Sequence, residues 1–309
     1  MNIIRISNVN IDVNIPLQES CCCYGSFDGF HLGHMELVNE VLNQNKYKKA
    51  CLFFSKPFSL LFSKSIHANS LIMTIEDKIE FLEKLGFDYV FIIDISNELI
   101  TLDYEKFIEK YIVKLNVKKV VVGNDFSFGY KGLGKSSTLL NYPDKFETVV
   151  KDILVIDDLK ISSTNIRNAL LNGDIDLANK MLGRYYSIKG KVIHGLANGF
   201  KLGFPTANLT LLSPYIVPKN GVYSTLFEID DKKYLSMTNI GTHPTISELK
   251  EKAIETNIFN YNHEIYDKEV RLDFLDNVRD ERKFDSIEDL KSNLKQLKET
   301  ISAKYEKLV

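Results

Sequence analysis

The feature that most restricts what this chain can fold into is a change of texture at Gly183. From residue 18 to about 182, short apolar or β-branched runs alternate with stretches of helical periodicity. The runs at 20–24, 50–54, 89–94, 119–123 and 148–156 read as strands. Between them Thr74 and Asp77 fit a capping box, and Gly86 fits the stop of the helix they open. Asp103 can cap a helix carrying Phe107, Ile108, Tyr111, Ile112 and Leu115 at helical spacing. Asn172-Gly173 ends one further helix, Asp174 caps the next, and Gly183 ends that one. Such alternation predicts an α/β domain, a parallel sheet with helices on its faces, whose ligands bind beyond the carboxyl ends of the strands. After Gly183 come closely spaced alternating strands, such as YYSIKGKVIHG and GVYSTLFEI, with Asp230-Asp231 at a hairpin tip. Strands without intervening helices predict a small antiparallel barrel. A last helix starts at Ser286, with Asp289 three residues on, and its stripe Ile287, Leu290, Leu294, Leu297 and Ile301 reads as a face packed on that barrel rather than as a partner-binding helix. The domains expected are 1–183 and 184–309.

A length of 309 residues supports this, because single hydrophobic cores stop growing near that size. With 44% hydrophobic and 26% charged residues and a formal net charge of −2, the chain carries no basic footprint for nucleic acid and points to small substrates. The opening MNIIRISNVNIDVNIPL lacks an apolar signal region, and no run approaches membrane-span length, so a cytoplasmic protein with no membrane partner is expected. Nothing in the sequence sets the oligomeric state. Cys21, Cys22 and Cys23 are consecutive and Cys51 stands apart. On a strand Cys22 faces away from its neighbours, so the three cannot converge on one metal. They read as buried packing residues, with zinc held alongside His31 or His34 as the alternative.

The stretch YGSFDGFHLGH, 24–34, follows the first of those strands and enters the helix carrying Met35, Leu37, Val38, Val41 and Leu42. A helix N-terminus presents unpaired N–H groups and a positive dipole end, which attract phosphate. Two imidazoles one turn apart, His31 and His34, add donors there, and Gly25 and Gly29 allow the backbone to come close. Ile161-Ser162-Ser163-Thr164-Asn165-Ile166-Arg167 is a second anion site in kind: hydroxyls and a guanidinium at a helix start.

These segments resemble the HxGH nucleotidyltransferase superfamily, in its G-x-F-D-G-x-H-x-G-H form. Gly123-Asn124-Asp125-Phe126-Ser127-Phe128-Gly129 resembles its G-x-D-F-x-F-G loop, and 161–167 its I-S-S-T-x-I-R signature. In the second half Gly203-Phe204-Pro205-Thr206-Ala207-Asn208 resembles the P-T-A-N signature of riboflavin kinases. Asn239-Ile240-Gly241, Pro244-Thr245, Glu255-Thr256 and Arg279-Asp280-Glu281 follow in that family's order. Both halves together look like the bacterial bifunctional riboflavin kinase and FMN adenylyltransferase family over nearly the whole chain.

The resemblance implies a Rossmann-like nucleotidyltransferase domain followed by a kinase barrel, acting on ATP, riboflavin, FMN and FAD with Mg2+. It implies that His31, His34, Ser162, Ser163, Thr164 and Arg167 hold the ATP phosphates. Gly25, Ser26, Phe27, Asp28, Gly29 and Asp125 would complete that ATP site, with Asp28 bracing the turn. In the barrel, Glu255 is the implied base, Gly203, Thr206 and Asn208 bind nucleotide, Thr206 and Asn208 also hold the metal, and Arg279 and Glu281 contact flavin. Three positions and one segment depart from the family pattern: Phe200 stands for an arginine beside Lys201, Asn257 for a histidine, His243 for a frequent polar or basic residue before Pro244, and Ser55-Lys56-Pro57-Phe58 replaces a segment richer in aspartate and histidine. Two other functions fit parts of the chain. One is an adenylyltransferase whose barrel merely binds flavin as a regulator. The other is a P-loop ATPase, because 129–136, GYKGLGKS, satisfies G-x-x-x-x-G-K-[ST]. A P-loop should join a strand directly to a helix, whereas here DFSF intervenes after Gly123.

Overall fold

The computed structural model describes residues 1–7, 17–56, 70–195, 203–242 and 252–309. Pro57, Phe58, Phe200, Lys201, His243, Pro244 and Thr245 lie outside them. The chain forms two compact units, Met1–Asn69 with Met73–Ser163 and Ser70–Ile72 with Thr164–Val309.

In the first unit, β1 (Asn2–Ile6), β2 (Ser20–Tyr24), β3 (Lys48–Phe54), β4 (Tyr89–Ile93) and β5 (Val117–Gly123) join a later strand in one sheet. Two short strands, β6 (Ser127–Phe128) and β7 (Gly134–Lys135), pair apart from it, and β8 (Glu147–Lys151) completes it. The order is β1-β4-β3-β2-β5-β8, and every pairing is parallel. Strand β1 is an edge strand whose only buried side chains are Ile4 and Ile6, so its alternation was too weak to read beside the polar residues that follow. The run expected as one strand at 148–156 divides instead: β8 ends at Lys151, and β9 (Val155–Ile156) turns back on β10 (Leu159–Lys160). Asp157 and Asp158 sit at that turn with φ of 49° and 61°, values that short polar side chains tolerate best.

Both faces of the sheet are covered, and β2 shows why its cysteines diverge. Cys22 and Tyr24 join the core on one face, Cys21 and Cys23 the core on the other, as period-2 alternation requires. All four thiols are free and buried, and burial pushes Cys21 up to about 12. Among the described residues no cluster of three or more His, Cys, Asp or Glu could hold a metal, so the zinc reading has no support. Helix α1 (Leu32–Leu42) follows β2. Helix α2 (Ile75–Lys84) opens on the expected box, with Asp77 N–H donating to Thr74 Oγ1 at 3.1 Å and Thr74 N–H to Asp77 Oδ2 at 3.3 Å. Such a cap contributes about 1 kcal/mol.

In the second unit α3 (Ser163–Asn172) and α4 (Ile175–Leu182) precede the barrel, Ser163 itself belonging to the first unit. Gly183 ends α4 in the left-handed region, φ 69°. Six antiparallel strands close the barrel: β11 (Tyr186–Ile193), β12 (Ala207–Leu211), β13 (Gly221–Ile229), β14 (Lys232–Thr242), β15 (Lys252–Ile258) and β16 (Glu269–Asp280), in the order β11-β12-β15-β14-β13-β16. Closure removes every exposed strand edge. Asn179 of α4 is tied to the barrel, donating to Phe274 O at 2.9 Å and accepting from Tyr186 N–H at 2.7 Å. The helices before Gly183 therefore cluster with the barrel, and the compact units part at 163/164. Helix α5 (Ile287–Tyr305) begins at the Ser286 cap and buries Ile301, with Leu294 and Leu297, on the outer barrel residues Val222, Leu226, Leu235 and Met237. Ile287, the first member of the expected stripe, is 59% exposed instead.

Candidate functional sites

Strand order reverses at β2, which has β3 on one side and β5 on the other. A crevice opens at such a point, beyond the carboxyl ends of the strands. The turn Gly25–Gly29 lies there, and it is strained: Phe27, Gly29 and Phe30 take φ of 47°, 91° and 38°. Phe27 and Phe30 are buried and stacked, centroids 4.9 Å apart, so apolar packing holds the turn from below. Asp28 is 1% exposed, and its carbonyl accepts from Ser163 Oγ at 2.9 Å. That bond joins the second expected anion segment to the turn, with Ser163 at the first position of α3. Ser163 Oγ thus ties the backbone of Asp28 to the start of α3.

His31 is the N-cap of α1, its Nδ1 accepting from the His34 N–H at 3.3 Å. The two rings stack face to face, centroids 3.6 Å apart. A Cβ on Gly33 would sit 3.3 Å from the His31 ring, so glycine keeps the stack uncrowded. The acceptor role of Nδ1 means that a neutral His31 ring carries its proton on Nε2. Asp125, just past β5, is exposed and paired with Lys160 Nζ at 2.8 Å. Ser162 precedes α3 and Thr164 and Arg167 lie on it; the Arg167 guanidinium donates to Ser70 O at 2.5 Å. One participant escaped the sequence reading: Lys78 of α2 is 2% exposed and donates to Ser26 O at 2.9 Å. Its signal was a lysine on the apolar face of α2, beside Ile75, Ile79 and Leu82.

The segment 129–136 does not form a P-loop. Ser127 pairs with Lys135 and Phe128 with Gly134 in an antiparallel hairpin, and only four helical residues follow. Lys135 is exposed, and a Cβ on Gly134 would come within 2.7 Å of the Phe128 ring. These glycines serve a tight hairpin rather than a phosphate cradle.

In the barrel, register places one row of residues across five neighbouring strands. Asn208 faces Glu255, Glu255 faces Asn239, Asn239 faces Val222, and Val222 faces Arg279. Directly opposed residues in antiparallel strands project to the same side. Their neighbours Thr225, Thr238 and Thr256 turn the other way, into a buried chain of hydroxyls at 2.8 and 2.9 Å. Beside the row lies a cavity of about 330 Å³ lined by Thr206, Glu255, Asn257, Arg279, Glu281 and Arg282 among others. Two guanidiniums and a half-buried carboxylate thus share one recess, with Arg282 and Arg279 over the Phe284 ring at 4.5 and 5.3 Å. Burial, then the neighbouring Arg282, lower the Arg279 guanidinium from its ordinary pKa. Glu281 accepts from Asn220 Nδ2 at 3.2 Å.

Thr206 lines this cavity, whereas Asn208 packs its amide against Gly195. Gly203 has φ 80°, which glycine adopts without penalty. Asn257, which departs from the family pattern, is 6% exposed and donates to Pro205 O at 2.7 Å. It anchors the residue before Thr206.

Two family models match the chain: FAD synthetase over residues 15–165 and riboflavin kinase over 182–304. The bifunctional riboflavin kinase/FMN adenylyltransferase of Bacillus subtilis strain 168 is 35% identical over 305 residues, covering 97% of this chain and 96% of its own. That of Listeria monocytogenes EGD-e is 35% identical over 288 residues, 92% of each. A Streptococcus pneumoniae crystal structure described as a macrolide-efflux protein superposes with a TM-score of 0.88 at 33% identity, covering 97% of this chain and 98% of that one. Among the described residues no helix is long and apolar enough to cross a membrane.

Proposed function

The chain belongs to the bifunctional riboflavin kinase/FMN adenylyltransferase family, and we propose that residues 1–183 carry one of the two reactions and residues 184–309 the other. The observation that supports two centres is that they stand on different sheets: the stacked histidines at the switch point of the parallel sheet, and Glu255 in a cavity of the barrel. Residues 1–183 contain what adenylyl transfer needs and 184–309 what riboflavin phosphorylation needs. The enzyme works in the cytoplasm.

In the first centre the FMN phosphate attacks the α-phosphorus of ATP and pyrophosphate leaves. A phosphate monoester with a second pKa near ~6 is already largely dianionic at neutral pH, so no base is required. Catalysis then rests on position and charge. His31 donates from Nε2, His34 stands beside it, and the strained turn Gly25–Gly29 lets the backbone approach the phosphates. Ser163 is bonded to the same turn, while Ser162, Thr164, Arg167 and Asp125 keep the ATP contacts drawn from the family motif.

In the barrel the ribityl hydroxyl of riboflavin attacks the γ-phosphorus of a second ATP, and ADP leaves. An alcohol gains from a positioned base, and Glu255 takes its proton. Arg279 and Glu281 contact flavin, and Gly203 lets the chain turn beside the nucleotide. The oxygen donors Thr206 and Asn208 suit Mg2+, which prefers hard ligands shared with nucleotide phosphates, and the cation would neutralise phosphate charge. Intact Thr206, Asn208 and Glu255 argue against a barrel that only senses flavin.

Incubation with riboflavin, ATP and Mg2+, followed by separation of the flavins, should yield FMN first and FAD after it. FMN alone, or no conversion, would overturn the two-centre reading. The exposed hairpin position of Lys135 adds a second check. Lys135→Ala should form FAD at close to the wild-type rate, whereas a true P-loop lysine contacts the terminal phosphates and its loss would abolish ATP use.

A further inference from the structure

We infer that Lys78 is a positioning residue for adenylyl transfer, acting through the Ser26 carbonyl, and this rests on the reading of the first centre given above. Among the described residues Lys78 is the only lysine or arginine that is buried. Its stem lies in the same apolar layer as Ile75, Ile79 and Leu82, and its ammonium is 4.9 Å from the centroid of the buried Phe53 ring. An ammonium is almost never fully buried without a partner, because desolvation opposes the charge. A methionine would fill the same space with no such cost. The placement of the ammonium gives a reason for keeping the charge: it donates to Ser26 O at 2.9 Å, inside the turn that carries the histidines.

That turn is where a clamp is needed. Phe27 and Phe30 hold positive φ without being glycine, a strained conformation that persists only where the surroundings enforce it. Side-chain donors grip the turn on either side of Phe27. Lys78 Nζ holds the carbonyl of Ser26, and Ser163 Oγ holds the carbonyl of Asp28 at 2.9 Å. In a trans peptide the N–H points opposite to the carbonyl, so fixing Ser26 O also fixes the direction of the Phe27 N–H. The same turn delivers the chain into His31, the N-cap of α1. Lys78 therefore sets the backbone on which the phosphate donors stand, and a charged donor does so with a stronger bond than a neutral one.

The second activity of the same chain supplies the control. Lys78→Met keeps length and apolar stem, and Lys78→Arg keeps a charged donor. Wild-type FAD formation from FMN and ATP is measured first; its absence would sink the first-centre reading as a whole. Given that activity, Lys78→Met should lose on the order of 100-fold in kcat for adenylylation, the size expected when reacting groups are displaced by about 1 Å. Its riboflavin phosphorylation and thermal midpoint should stay near wild type, and Lys78→Arg should recover at least a tenth of wild-type adenylylation. Wild-type kcat and KM for ATP in Lys78→Met would overturn the inference. So would equal losses in Lys78→Met and Lys78→Arg, or a fall of both activities together with the thermal midpoint, which would mark Lys78 as a packing residue.

Discussion

Glu255→Gln should lower riboflavin phosphorylation by roughly 100-fold to 10,000-fold, the usual contribution of a positioned general base, while FMN adenylylation continues when FMN is supplied. The substitution is nearly isosteric, and the strand pairing of residue 255 with Asn208 and Asn239 is made by backbone groups. What changes is the ability to take a proton. Glu255 is half-buried beside Thr206 and Arg279 in the cavity, so a glutamine there can still hydrogen-bond but cannot become an acid. ATP binding to the barrel should change little, and the loss should fall on kcat. Steady-state formation of FMN, read by separation of the flavins, decides the matter. Turnover near wild type would remove Glu255 from the chemistry and leave it as a solvated strand residue.

The sequence disclosed elements whose signal is local and left obscure those set by tertiary packing. Strand β2 was legible because five consecutive residues are buried on both faces of the sheet, and its cysteines divide between the two cores as simple alternation requires. The Thr74 box, the Gly183 stop and the Asp230-Asp231 tip are chemistry written within a few residues, and each has the expected geometry, with Gly183, Asp230 and Asp231 all at positive φ. Strand β1 was missed because an edge strand buries only alternate residues. The split of β8 from β9 was missed because 148–156 reads as one run, and only the pairing separates them: β8 joins β5 in the parallel sheet, whereas β9 pairs with β10 across the Asp157-Asp158 turn. At the sites, the histidines and Glu255 were carried by their motifs. Lys78 and Asn257 were not, since each acts through a carbonyl remote in sequence: Ser26 for one, Pro205 for the other. No spacing rule reports such a bond.

His31→Asn separates the two tasks of His31. In the folded protein His31 caps α1 through Nδ1, which accepts from the His34 N–H, and its ring stacks on His34. Alanine would remove both the cap and the Nε2 donor, and loss of a cap alone costs about 1 kcal/mol of stability. Asparagine is among the best N-cap residues, so the variant should retain α1 and unfold near the wild-type temperature. It cannot present an imidazole donor at the crevice. Losing one preorganised donor to a developing phosphate charge costs on the order of 100-fold to 1,000-fold in kcat. FAD formation from FMN and ATP should fall by that amount in His31→Asn and at least as far in the double His31→Ala, His34→Ala variant. Riboflavin phosphorylation, which is proposed for the barrel, should persist in both, so FMN accumulates while FAD does not. Full adenylylation by His31→Asn would reduce His31 to a helix cap, and a parallel loss of both activities in a folded variant would mean that the two reactions share a centre.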